Sequence, residues 1–173
     1  MAKISLKIKG LEELKKKIGK QGQEIVLREI RDEIEISAQM VRNEAIKRVP
    51  VDQGYLRNSI NVEGKDMLWI VYASAGYAAY QEFGTKTKVE IPAEMQEVAS
   101  QFKGKKLSEG KFKEAIADWM RRKGIPEEAL WPIMAKLMSA GVNPQPFMYP
   151  GFKQGTKTLQ KDIDNIINRY LNK

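Results

Sequence analysis

An α+β fold is predicted by three runs of this 173-residue chain. Between Gln23 and Arg48, Ile30, Ile34, Ala38, Val41 and Ala45 fall four, four, three and four residues apart, one continuous helical stripe. From Asn58 to Ala73, two apolar runs flank a polar Glu63-Gly64-Lys65-Asp66 stretch, the pattern of an antiparallel hairpin. Near the end, Leu159, Ile163, Ile166 or Ile167, and Tyr170 mark a second amphipathic helix. The expected architecture is a long helix and a C-terminal helix packed on a small, mostly antiparallel sheet, with a helical insertion. Residues 1–92 and 142–173 are read as the core domain and 93–141 as the insertion.

Taken in order, Lys3 to Lys9 alternates Ile4, Leu6 and Ile8 with lysines, a half-buried edge strand. Leu11, Leu14 and Ile18 then mark a short helix closed by Gly19 or Gly22. The long helix follows, roughly 39 Å at 1.5 Å per residue. Its carboxylates Glu29, Asp32, Glu33 and Glu35 alternate with Arg28 and Arg31. Such a group suits a solvated face with pairs such as Arg28–Asp32 better than a magnesium site.

Pro50 lacks an N–H and drives Val49 out of helical geometry, so the helix stops there. In V-P-V-D-Q-G-Y-L-R-N-S-I (Val49 to Ile60), Asp52 can accept a backbone N–H and Gly54 can take a positive φ. Leu56 points inward from one tight turn, Tyr55 to Asn58. The hairpin strands are placed at Asn58–Val62 and Met67–Ala73. Apolar residues on both faces of the second strand suggest that both are covered, by the long helix and by the last helix or a neighbouring subunit.

Tyr77, Tyr80 and Phe83 are spaced three apart in a helical turn or two ending at Gly84, so their rings share a face. They either plug the core or dock a partner, since aromatics anchor interfaces. Glu82 beside them suits capping or an inter-subunit ion pair. Thr87 to Ile91 reads as a strand. In the insertion, Glu94 to Phe102 is helical, Phe112, Ile116 and Trp119 share a helical face, and Pro126 opens another helix. Leu130, Ile133, Met134, Leu137 and Met138 of that helix point inward, and Gly141 stops it. Pro144, Pro146 and Pro150 stiffen a crossing, and Gly151 to Lys173 closes the chain as a helix.

Composition narrows the function. With no cysteine and no histidine, disulfides, thiolate nucleophiles, the usual zinc sets and every histidine-based triad are excluded. No phosphate-binding glycine motif is present, and no catalytic or cofactor residues are assigned. Met1 to Gly10 reads as no signal peptide, and no apolar run approaches the ~20 residues of a membrane span. A soluble protein made in a cytoplasm is expected. The net charge of +8 is uneven. Residues 1–20 hold seven lysines against two glutamates, and residues 102–123 hold eight basic against three acidic residues. Lys103, Lys105, Lys106, Lys111, Lys113, Arg121, Arg122 and Lys123 form a candidate basic face, and a nucleic-acid-binding protein using it is the alternative reading. A hydrolase using a lysine or carboxylate pair stands third, with no recognisable constellation.

Three motifs occur in a fixed order: P-x-D-x-G-x-L-x-x-S from Pro50, Y-A-x-Y-x-E-F-G-T from Tyr77, and P-x-P-F-x-x-P from Pro144. Together they resemble a family of small structural proteins of long-tailed bacteriophages, called tail-component, tail-completion or head–tail joining proteins. The resemblance covers residues 23–91 and 142–173. It implies a non-enzymatic virion protein of the neck or tail, assembled in the host cytoplasm as a ring of copies, commonly sixfold. Its partners would be its own copies, the tail tube and the connector, with Tyr77, Tyr80, Glu82, Phe83 and Phe147 as candidate interface residues. Pro50, Asp52, Gly54 and Leu56 would form the structural turn.

Overall fold

The computed structural model describes residues 16–85, 93, 96 and 109–172. The strands expected at Lys3–Lys9 and Thr87–Ile91, and most of the helix at Glu94–Phe102, lie outside the described residues. The elements in chain order are α1 (Lys20–Arg48), α2 (Tyr55–Asn58), β1 (Ile60–Lys65), β2 (Leu68–Ala73), α3 (Ala78–Phe83), α4 (Glu109–Lys123), α5 (Leu130–Ala140), α6 (Met148–Gly155) and α7 (Leu159–Leu171). Among the described residues, helices with a two-stranded antiparallel sheet make the class α+β. The chain divides into two compact units, Lys3–Ala78 with Pro146–Lys173, and Ala79–Gln145.

In the first unit α1 is the spine, 29 residues and roughly 43 Å long. It starts after Gly19 and runs through Gly22, so Gly22 stops nothing. Its buried face comprises Val26, Ile30, Ser37, Ala38, Val41 and Ala45, with Ile34 half-buried. At the other end Val49 is already extended (ψ 132°) before Pro50. Two apolar clusters lie along this spine. Val26 and Ile30 meet Leu159, Ile163, Ile166 and Ile167 of α7. Ala45 and Val49 meet Leu56, Ile60, Ala78 and Phe147. The C-terminal stripe therefore lies on α1, and Phe147 with Met148 joins the cluster that holds the sheet.

The last helix is in fact two, α6 and α7, separated at Thr156–Thr158. The helical run begins at Met148, three residues earlier than expected. Pro150 is tolerated because the first N–H groups of a helix have no partner within it. Gly151 and Gly155, one turn apart, lie against the backbone of α1. A Cβ on Gly151 would stand 2.8 Å from the Ala45 nitrogen, and one on Gly155 would stand 2.6 Å from the Val41 Cα. Ser37 Oγ, itself buried, donates to the Gly155 carbonyl at 2.9 Å. These contacts set α6 closer to the spine than any side chain would permit.

The first strand starts later and runs further into the turn than expected, with Asn58 in α2 instead of the strand, so the turn is tighter. The register pairs Ile60 with Ala73 and Lys65 with Leu68, leaving Asp66-Met67 as the loop, with Asp66 at φ 56°. Gly64 belongs to the strand because it faces Trp69: a Cβ there would stand 2.7 Å from the indole Cδ2. Ile60, Val71 and Ala73 turn one face to the core. Arg42 Nε ties the start of β1 to the spine by donating to the Ile60 carbonyl (2.9 Å), and Arg31 pairs with Asp66 at the tip (3.6 Å).

Gly54 has φ +81°, left-handed, and precedes α2, whose Leu56 is buried. A β-branched residue is strained in that region. Gly54→Val is expected to lower stability by about 1–3 kcal/mol, read as a lower denaturant midpoint at unchanged slope.

The second unit holds α3 from Ala79 onward, then α4 and α5. Met120, Leu130 and Met134 form its core, flanked by Ile116, Trp119 and Ile133. Pro126 precedes a short 3-10 turn, Glu127–Ala129, before α5 begins at Leu130, and Gly141 (φ 69°) ends α5. Gly84 (φ +67°) closes α3 against the extended 142–145 segment. Thr85 N donates to Val142 O (3.1 Å), and Gln145 N donates to Gln81 O (2.8 Å).

Candidate interaction site

The hairpin presents two unlike faces. Antiparallel pairing puts Leu68, Ile70 and Tyr72 on the face opposite to the core, alternating with core-facing Trp69, Val71 and Ala73. Across from them on β1 stand Lys65, Glu63 and Asn61. The last helix does not cover this face: Leu68 is 68% exposed, and Met67 in the adjoining loop is 41% exposed. Among the described residues α7 is therefore not the cover expected for this face, because its apolar stripe lies on α1; the other expected cover was a neighbouring subunit. Tyr72 donates to Glu63 at 3.3 Å, and that carboxylate, chiefly through its charge, pushes the phenol above its ordinary value.

The aromatic candidates separate by burial. Tyr77 is half exposed and Tyr80 partly buried. Phe83 is buried, and so is Glu82 beside it. Phe147 is 1% exposed in the spine–hairpin cluster; a side chain so enclosed has no surface to offer a partner, and its place is in the core. Of the corner residues, Leu56 and Gly54 are buried, Pro50 is partly buried and Asp52 is exposed. Next to them Tyr55 is 72% exposed and Val51 57%. Sequence reading missed both, since Leu56 accounts for the turn's inward side and nothing local shows which outer residues stay bare.

The candidate basic face is mixed in sign where it is described. Lys103, Lys105 and Lys106, and the side chain of Lys111, lie outside the described residues. Lys113 lies over the exposed Trp131 ring, 4.9 Å from its centroid. Arg121 pairs with Asp118 at 2.9 Å, and these two with Arg122 line an open depression of about 390 Å³. Lys123 ends the helix in solvent.

The acidic group of α1 works across elements. Glu29 accepts from Tyr170 (2.6 Å) and Arg169 (3.2 Å) of α7. The hydrogen bond to Glu29, then burial, raises the Tyr170 phenol above its ordinary value of 10.0. A phenol raised in the folded state contributes fully below pH ~10 and loses that contribution as pH climbs through the folded value. Glu33 is held above the usual carboxylate range by partial burial and then by the charge of Asp162. Among the described residues no group of three His, Cys, Asp or Glu side chains could hold a metal, and no helix is long and apolar enough to cross a membrane.

No curated protein and no solved structure matches the chain. A family model does: residues 11–84, which contain the spine, the corner, the hairpin and α3, match HK97-gp10_like, described as "Bacteriophage HK97-gp10, putative tail-component". The resemblance carried by the corner and the Y-A-x-Y-x-E-F-G-T stretch is thereby borne out: over residues 11–84 the chain is similar to the HK97-gp10-like family of phage tail components.

Proposed function

We propose that the protein is a structural subunit of the phage neck or tail end, joining head to tail or terminating the tail tube as a ring of copies. The match of residues 11–84 to the tail-component family carries this reading. Its work is done by surfaces and requires no catalysis. The outer hairpin face around Leu68, Ile70 and Tyr72, with Tyr77 beyond it in the chain, supplies contacts to neighbouring copies or to the tail tube. An apolar row beside charged strand residues has the composition of an interface core with a polar rim. Ring closure needs two unlike surfaces meeting head to tail, and large contacts of that kind hold permanent assemblies. The location that follows is the virion, with the connector and tail tube as neighbours.

Leu68→Asp tests the assignment of the face. Leu68 is 68% exposed, so the substitution shifts stability by no more than about 0.5 kcal/mol. In particles whose own copy of the gene is deleted, the variant is expected to restore at least tenfold fewer infectious particles than the unaltered protein. Full restoration by a folded Leu68→Asp protein would remove this face from assembly.

A further inference from the structure

Among the described residues the spine helix carries a second, largely exposed stripe, distinct from the hairpin face. Ile25, Glu29, Asp32, Ile36, Met40, Asn43 and Lys47 recur at spacings of four, three, four, four, three and four, so they share one face of α1 over roughly 33 Å. Ile25 is 38%, Ile36 51% and Met40 44% exposed. The stripe is ordered by charge: Glu29 and Asp32 precede its apolar centre, Ile36 and Met40, and Lys47 follows.

Reversed, that order is complementary to itself: acid meets base at the ends and apolar meets apolar at the centre. We propose that α1 pairs antiparallel with α1 of a second copy, the two-fold axis passing at the level of Ala38. Ile36 then lies beside Met40 of the partner subunit, and Glu29 comes level with the partner subunit's Lys47. A parallel pairing would set Glu29 on Glu29 and Lys47 on Lys47, and would align the two helix dipoles unfavourably. Antiparallel packing replaces those repulsions with two attractions and joins the four exposed apolar side chains at the centre. Glu29 keeps its bonds to Tyr170 and Arg169, since a carboxylate can accept from several donors, and Lys47, which donates to Glu44 of its own chain at 2.7 Å, has further N–H donors for the partner. This contact is isologous, whereas ring closure uses unlike surfaces; it therefore stands apart from the tail-component reading and belongs to the free protein. With few apolar anchors it is a weak contact, at the small end of specific interfaces.

The chain contains no cysteine, so introduced thiols report one position each. Full-length Ile36→Cys and Met40→Cys proteins, one of them tagged, are mixed and oxidised mildly. The mixture is expected to give cross-linked heterodimers at least tenfold faster than either variant alone, because thiols of one variant stand about one helical turn apart across the axis, beyond disulfide reach. Sedimentation of the unaltered protein at about 100 µM should show dimers that Ile36→Lys reduces at least tenfold, with an unchanged melting temperature because Ile36 is outside the core. Equal cross-linking in all three samples, faster cross-linking of either variant with itself, or a purely monomeric protein would overturn the proposal. Particle assembly is scored separately, so the tail reading stands or falls on its own.

Discussion

Gly155→Val is expected to destabilise the protein by about 3 kcal/mol, the upper range for side chains forced into a packed core. The physical cause is backbone contact. A Cβ on Gly155 would stand 2.6 Å from the Val41 Cα and closer still to the Val41 nitrogen. Neither is the movable end of a side chain, so α6 must lift off the spine. Lifting it also stretches the Ser37 to Gly155 hydrogen bond and leaves a buried hydroxyl wanting an acceptor. At about 2–4 °C per kcal/mol for a chain of this size, the melting temperature falls by roughly 6–12 °C. Gly76 is the control: a Cβ there meets nothing within 4 Å and its φ is not left-handed. Gly76→Ala should leave the melting temperature within about 2 °C. Equal effects at the two glycines would refute the close approach.

Phe147→Ala is expected to cost about 3–5 kcal/mol, the range for truncating an enclosed aromatic ring. Phe147 lies among Ala45, Val49, Leu56, Ile60 and Ala78. Those residues come from α1 and the Val49 that caps it, α2, β1 and the start of α3, so one ring closes the cluster that joins spine, corner and hairpin. The empty volume cannot be filled by collapse, because the surrounding backbone is fixed by the Arg42 to Ile60 bond and by Gly151 on Ala45. Equilibrium unfolding in urea measures the loss. A cost under 1 kcal/mol would mean that the ring is not a core element, and would return it to the interface candidates.

The contrast between Phe147 and the spine shows what was legible in the sequence. Ile30, Ala38, Val41 and Ala45 repeat at helical spacing, and burial on one face follows from geometry alone. The stop at Val49-Pro50 and the left-handed Gly54 rest on local sterics, which a sequence states directly. The hairpin was legible as a hairpin, but its polar run Glu63 to Lys65 resembles a turn and is strand. What holds it extended is Trp69 over Gly64, a contact between strands that composition does not reveal. Gly151 and Gly155 are spaced to share a helix face, and that spacing was the available signal for close packing. The partner, Val41 to Ala45, is too far away in sequence to be inferred from it. Glu29 with Tyr170 is illegible for the same reason. The interface candidates came from residue type, and type does not distinguish Tyr77, half exposed, from Phe147, enclosed.

Cryo-electron microscopy of tailed particles produced from the genome that encodes this chain separates a ring-forming neck or tail subunit from any other role. Density is expected for the protein as a closed ring at the junction of head and tail or at the end of the tail tube, with the Leu68, Ile70 and Tyr72 face buried against a neighbour. Particles complete in head and tail but lacking the protein, or holding it as isolated copies away from the tail axis, would contradict it.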